Sequence, residues 1–125
     1  VIKMAQLEQY HKSHIIRIIY TASVNMHVRK LAVDEVCELA NPPDPVRLLI
    51  DVRKIIMNMS LDEQEDFVGY LVEKKELANA KVAVLHNPQS NPNLMIDSFA
   101  YIAGYQTVDF DRENDAISWL NGNFK

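Results

Sequence analysis

Residues 46–66, VRLLIDVRKIIMNMSLDEQED, decide the fold class of this chain. The stretch begins with a run of valine, leucine and isoleucine that ends at Asp51, a composition typical of a strand covered on both faces of a sheet. Ser60 and, three residues later, Glu63 form the pattern of a capping box, which predicts the start of a helix. A buried strand followed by a capped helix predicts an open α/β sheet.

Hydrophobic spacing on either side of this stretch predicts further strands and helices in alternation. Strands are predicted at residues 4–10, 15–21, 81–86 and 107–110, the first two forming an antiparallel hairpin through a turn at 11–14. Helices are predicted at residues 28–39, 61–78 and 94–103, and after an Asn114 cap. The order predicts an N-terminal β-hairpin followed by alternating β/α units, in a mostly parallel sheet of four to five strands with about four helices.

The apolar positions of the helices predict their buried faces. The first helix is expected to bury Val28, Leu31, Ala32, Val36 and Leu39, and the second to bury Phe67, Val68, Leu71 and Val72. Gly104 is expected just past the end of the third helix, in the left-handed conformation.

Composition limits the class of protein. A chain of 125 residues with 48% hydrophobic residues predicts one domain over 1–125, and the single Cys37 excludes an internal disulfide framework. We find neither a leader pattern nor an apolar run of about 18 residues, so a cytoplasmic location is expected. The net charge of −4, without a basic cluster, argues against a nucleic-acid partner.

Over nearly the whole chain, this order of elements resembles the STAS fold of anti-sigma factor antagonists and, more narrowly, the SpoIIAA-like relatives in the STAS/SEC14 group. The resemblance aligns residues 52–59 with the loop that leads to a phosphorylated serine in the antagonists. Those proteins show an Asp-Ser-x-Gly type signature there, whereas residues 59–62 of this chain read MSLD. The last helix, with Trp119 and Leu120, looks more like the SpoIIAA-like group, for which the resemblance implies binding of lipid-like or other small ligands and peripheral association with membranes.

Ser60 is the candidate phosphoacceptor. A phosphate there would lie on exposed backbone amides at the positive end of a helix dipole. The alternative is a plain N-cap, because serine three residues before glutamate is what a capped helix requires.

Asp51, Arg53 and His86 are predicted at or just beyond the carboxyl ends of parallel strands, where they form a polar cluster. The sequence lacks a second paired carboxylate, a nucleophile in an elbow motif and a glycine-rich phosphate loop, which favours a non-enzymatic protein. Its four histidines and one cysteine do not show zinc-ligand spacing, so neither a metal nor a cofactor is predicted.

The helix predicted at 94–103 is apolar almost all round, with only Asp97 and Ser98 polar. We predict that this helix and the loop 52–59 form an apolar site for a lipid-like or small apolar ligand or a membrane surface. The residues expected to bind are Arg53, Ile56, Met57, Met59, Ser60, His86, Met95 and Phe99. Two alternatives stay open: these apolar residues are core or homodimer contacts, or the chain is a partner-switching regulator that docks a protein around Ser60.

Overall fold

The computed structural model describes residues 5–10, 14–40 and 44–122, and within them it shows five strands and four α-helices. The elements are β1 (Ala5–Tyr10), β2 (Ile15–Val24), α1 (Met26–Leu39), β3 (Arg47–Met57), α2 (Leu61–Val72), β4 (Lys81–Leu85), α3 (Leu94–Ile102), β5 (Gln106–Phe110) and α4 (Glu113–Leu120). A single 3₁₀ turn, Lys75–Leu77, lies between α2 and β4. The alternating order confirms the predicted α/β fold class. The predicted hairpin turn lies mostly outside the described residues.

The strands lie side by side in the order in which they occur along the chain. β1 is antiparallel to β2, as the predicted hairpin requires, and β2 to β5 are parallel to one another. In the centre of the sheet Leu49 of β3 lies opposite Arg17 of β2 and Ala83 of β4. Because the order is sequential, this sheet has no point at which the strand order reverses, the feature that usually marks the ligand site of a doubly wound sheet.

Helices cover both faces of the sheet. On one face, buried residues of α1, α2 and α3 pack on Ile18, Leu48 and Val84. On the other face, α4 contributes Ala116 and Leu120 to a smaller cluster. Strand residues alternate between the two clusters, so Leu48 and its neighbour Leu49 point to opposite faces, as the pleat of a strand requires.

Several predicted element boundaries are wrong, and β2 continues to Val24 instead of ending at residue 21. The segment predicted as loop 52–59 is mostly strand, because β3 continues to Met57 and pairs with the end of β2. β4 ends at Leu85, opposite Asp51, so β2 and β3 continue beyond it as a two-stranded ribbon. α2 ends at Val72, earlier than predicted. Arg112 occupies the N-cap position of α4 without a side-chain hydrogen bond, and Asn114 lies inside the helix.

Two predicted helix faces also need correction. Leu31 and Leu39 of α1 are exposed, and Arg29 is buried together with Ala32, Val33 and Val36. α1 is therefore rotated relative to the predicted stripe, because the charged Arg29 finds buried partners on other elements. Val72 of α2 is exposed rather than buried. Gly104 has φ +100°, which confirms its predicted left-handed conformation.

Candidate functional site

The predicted apolar site residues lie in different environments. Met59 is buried, and Met57 and Phe99 pack against the core of the α1–α3 face. Ile56, 70% exposed, and Met95, 40% exposed, face solvent. None of these five side chains lines the internal cavity described below.

Ser60 has the geometry of a complete capping box. Its Oγ accepts a hydrogen bond from the Glu63 backbone N–H at 3.1 Å, and its own N–H donates to Glu63 Oε1 at 2.9 Å. Ser60 and the following Leu61 are exposed, so the start of α2 is accessible from solvent.

Asp51 and Arg53 belong to an ion cluster on the α4 face. The Arg53 guanidinium donates from Nε and Nη2 to the two carboxylate oxygens of Asp51, at 3.1 and 2.8 Å. Arg17 donates to the same carboxylate at 3.1 Å and pairs with Glu113 of α4 at 2.7 Å. Burial alone would raise the pKa of Asp51, but the hydrogen bonds from the two arginines outweigh it and hold that pKa below its usual value.

His86 lies beside this cluster and is connected to it through Asn87. The Asn87 side chain donates to the Arg53 carbonyl oxygen at 2.7 Å, and the Asn87 carbonyl is 2.6 Å from His86 Nδ1. The sequence therefore placed Asp51, Arg53 and His86 in one region. It missed the two partners, Arg17 and Glu113, that hold the Asp51 carboxylate.

A second polar cluster, which the sequence did not predict, lies buried on the opposite face, at the start of α1 and α3. Arg29 is 1% exposed and donates from Nη2 to Asn93 Oδ1 at 2.6 Å. Asn93 is equally buried and donates from Nδ2 to Asp97 Oδ1 at 2.6 Å. Asn91 donates to the other oxygen of Asp97, at 3.1 Å, and to Asp109 of β5, at 3.2 Å. We call these five residues the buried polar chain, after its buried members Arg29, Asn93 and Asp97; Asn91 is half-buried and Asp109 is exposed.

Aromatic rings cover the guanidinium of the buried polar chain. Arg29 Cζ lies 4.6 Å from the ring centroid of Tyr20 and 5.8 Å from that of Phe67. Such cation–π contacts stabilise a desolvated cation. Burial nevertheless lowers the pKa of Arg29, an effect that Tyr20 and Asp97 partly offset. Arginine remains protonated near neutral pH because its ordinary pKa is so high.

Asp97 is the acidic residue of the buried polar chain that Asn93 connects to Arg29. Burial, together with the hydrogen bond and charge of Asp109, raises the pKa of Asp97 to about 8. The Asp97 carboxyl is therefore mostly protonated at neutral pH.

An internal cavity of about 50 Å³ adjoins the buried polar chain, between the sheet and helices α1, α2 and α3. Its polar lining comes from Arg29, Asn93, Asp97 and Thr107, and the hydroxyl-bearing Tyr20 and Tyr105 also line it. The remaining lining is almost wholly apolar, and it includes Ile18, Val36, Leu48, Phe67, Ile96 and Ala100. Two of these residues each have a buried atom without a hydrogen-bond partner among the described residues, Arg29 Nε and Thr107 Oγ1.

A groove on the outside of the protein leads towards this cavity. It has a volume of about 310 Å³ and lies between α3 and the edge strand β5. Leu94, Tyr101 and Ile102 contribute its apolar side chains, and Ile102 is 80% exposed. Asp97 and Thr107 line both the groove and the cavity, so the two spaces are adjacent at these residues.

Two sequence signals could have indicated this site. Arg29 falls on the same helical face as Ala32, Val33 and Val36, a charged residue within an apolar stripe. The segment NPQSNPN at 87–93 is rich in asparagine, a residue whose side-chain amide both donates and accepts hydrogen bonds. Neither signal identifies the partner, because Arg29 and Asn93 are 64 positions apart.

The described residues contain no group of three or more histidine, cysteine, aspartate or glutamate side chains that could hold a metal ion. Within the same part of the chain, no helix is long and apolar enough to cross a membrane.

Comparison with solved structures identifies the fold. A crystal structure of an uncharacterised protein of the DUF3478 family from Shewanella loihica PV-4, described as having a SpoIIAA-like fold, matches with a TM-score of 0.66. The match covers 93% of this chain and 91% of that chain, at 16% sequence identity. Neither a family model nor a curated protein matches the sequence. This chain thus has a SpoIIAA-like fold, which confirms the resemblance inferred from the order of its elements.

Proposed function

We propose that this protein is a non-enzymatic regulatory module that binds a small ligand with an apolar body between α3 and the sheet. The observation that carries the proposal is the apolar cavity beneath α3, which shares Asp97 and Thr107 with an outer groove. The cavity alone, at about 50 Å³, is far smaller than the roughly 300 Å³ at which ligand pockets begin. A small outward movement of α3 would join the cavity to the groove, and the combined space would reach the size of a ligand pocket.

The polar residues support binding rather than catalysis. The Asp51 carboxylate accepts hydrogen bonds from two arginines, and Asp97 is engaged by Asn91 and Asn93. A general acid or base must be within reach of a substrate proton and able to exchange its own. Carboxylates held in this way are suited to fixing the shape of a site.

The exposed residues of α3 support an apolar ligand. Leu94, Tyr101 and Ile102 lie along the groove and are each more than half exposed. Apolar side chains beside an opening lower the cost of bringing an apolar molecule to it, because water is displaced from both surfaces.

A cavity-filling variant tests this proposal. Protein stripped of bound molecules by unfolding and refolding is titrated with hexan-1-ol, and backbone amide shifts are followed by NMR. We expect shifts at cavity residues such as Val36 and Ile96 in the wild type, and their loss in Ala100→Leu, because the larger side chain occupies the cavity.

The control is Ala103→Leu, the same change at an exposed position just after α3. It should bind hexan-1-ol as the wild type does. Equal binding by Ala100→Leu, or shifts confined to residues outside the cavity lining, would contradict the proposal.

A second candidate function is partner switching around Ser60. The supporting observation is that the exposed Ser60 is followed by Leu61, 55% exposed, and lies near the end of β3, where Ile56 is also exposed. Apolar side chains around a modifiable serine suit a protein docking surface that phosphate would disrupt. Intact protein from its native cell should then carry the mass of one phosphate at Ser60, and its absence under all growth conditions tested would count against this function.

A further inference from the structure

The Arg29 guanidinium is a buried charge whose hydrogen bonds are incomplete. Its Nη2 donates to Asn93, but its Nε is buried without a partner among the described residues. A buried donor that lacks an acceptor is unfavourable, and more so when the group is charged. Native proteins rarely leave such a group unsatisfied, so the free Nε calls for an acceptor that enters the cavity.

The surroundings of Arg29 do not supply a full negative charge near neutral pH. Asp97 reaches Arg29 through the side chain of Asn93 and is mostly protonated, since burial and Asp109 raise its pKa to about 8. Tyr20 also hydrogen-bonds the guanidinium, but burial raises the pKa of its hydroxyl, so it carries no charge near neutral pH, and Phe67 contacts the guanidinium with its ring. An anion that entered the cavity would therefore meet a desolvated cation without a competing carboxylate.

The lining restricts the chemistry of that anion. Apart from Arg29 and the amide and carboxyl groups of Asn93 and Asp97, the hydroxyl of Thr107 is a further donor without a partner. A phosphate group needs more donors than this to satisfy its oxygens, whereas a carboxylate is satisfied by a guanidinium and one or two other donors. The apolar remainder of the lining suits an aliphatic chain.

The volume of the cavity restricts the size of the anion. At roughly 10–15 Å³ for each water-sized sphere, the cavity accepts about four such spheres. A carboxyl group with a chain of a few carbons fills that space, and a longer chain must pass Asp97 and Thr107 into the groove.

We infer that the ligand is a short aliphatic carboxylic acid, bound as the carboxylate, which accepts a hydrogen bond from Arg29 Nε while its chain occupies the apolar cavity. This inference rests on the function proposed above, because it assigns the polar end of the ligand for the same cavity. It makes Arg29 the residue that distinguishes an acid from a neutral molecule of the same chain length.

The test compares hexanoate with hexan-1-ol on stripped wild-type protein at about pH 6.5, where an aliphatic carboxylic acid is ionised. NMR titration gives both dissociation constants, and the Arg29 Nε–H resonance reports the contact directly. We expect hexanoate to bind at least about tenfold more tightly than hexan-1-ol, and the Nε–H resonance to shift with hexanoate alone.

Arg29→Gln should remove the preference for the acid. The matched control is Arg112→Gln, the same change at the exposed residue that precedes α4, and it should keep the preference. If Arg29→Gln does not fold, the Nε–H resonance of the wild type and the Thr107→Val variant, which should weaken hexanoate more than hexan-1-ol, still decide the question.

The outcomes separate this inference from the proposed function. Equal binding of the two probes in the cavity would overturn the inference and leave the binding function standing. An acid preference that persists in Arg29→Gln, or that leaves the Arg29 resonance unshifted, would also overturn the inference. If neither probe perturbs the cavity residues, both the function and the inference fail.

Discussion

Ser60 and Arg29 differ in how far their partners lie along the chain. The partner of Ser60 is Glu63, three residues away, and the capping box that they form can be predicted from the local pattern. The partners of Arg29 are Asn93 and the ring of Tyr20, which belong to other elements. For single residues, the sequence therefore predicts the hydrogen bonds whose two partners lie within one helical turn.

Replacing Ser60 tests the cap. Ser60→Ala should lower the free energy of unfolding by about 1 kcal/mol, because the backbone N–H of Glu63 loses its acceptor. Ser60→Asp should remain within a few tenths of a kcal/mol of the wild type, since aspartate is as good a cap and its charge favours the helix N-terminus. Urea denaturation followed by circular dichroism measures both.

Equal destabilisation by the two Ser60 variants would show that the hydroxyl has a role other than capping. With the expected result, Ser60→Asp is a folded mimic of the phosphorylated protein and can be used to test partner switching without a loss of structure.

The β2–β3 ribbon, in which these two strands pair beyond the end of β4, differs from the sequence prediction. Residues 52–59 are predicted as a loop because the apolar run ends at Asp51 and a capped helix follows, although Ile55 and Ile56 favour a strand. The structure forms that strand because β2 extends to Val24 and supplies the hydrogen-bonding partner. The ribbon includes a register shift between Ile19 and Thr21, and Ala22 beside it has φ +59°.

Ala22 provides a test of backbone strain in the β2–β3 ribbon. Its left-handed conformation is unfavourable for a residue with a Cβ atom, and its side chain is exposed, so Ala22→Gly should raise the free energy of unfolding by about 0.5–1 kcal/mol. Ala78→Gly is the control, because Ala78 is also exposed but has φ −57°. That control should be destabilised by a similar amount, since glycine has more freedom in the unfolded chain. Destabilisation of both variants would contradict the strain at Ala22.

The buried polar chain depends on the packing of the whole molecule. Arg29 comes from α1, Asn93 and Asp97 from the start of α3, and Asp109 from β5, so the chain exists only after the helices have packed on the sheet. Packing also removes Asp97 from water and brings it beside Asp109, which is why the pKa of Asp97 rises. Because the unfolded chain loses this environment, the shift makes stability depend on pH.

We expect the free energy of unfolding to fall as pH rises from about 4 to about 8. Between the ordinary pKa of aspartate, about 3.9, and its folded value of about 8, Asp97 holds a proton in the folded protein that the unfolded chain releases. Asp97→Asn cannot titrate, so its stability relative to the wild type should increase with pH across this window. Urea denaturation at several pH values measures the difference.

Asp111→Asn is the control for this series, because Asp111 is exposed and its replacement should leave the pH dependence as it is in the wild type. Asp51 does not interfere, since its lowered pKa confines its contribution to pH values below about 4. Parallel profiles for the wild type and Asp97→Asn would contradict the raised pKa.

The sequence by itself determined the order of the strands and helices, the α/β class, the capping box at Ser60 and the left-handed Gly104, because each depends on interactions within a few residues. It also placed Asp51, Arg53 and His86 near one another, because neighbouring parallel strands bring them to one region, although Asp51 and Arg53 lie within β3 and only His86 follows its strand. Only the tertiary structure decided that β3 continues past Asp51, that α1 buries Arg29 in place of Leu31, and that a cavity lies beneath α3 beside Arg29, whose Nε has no partner among the described residues. These features depend on contacts between elements distant in sequence and on the removal of their groups from water, which no local pattern specifies.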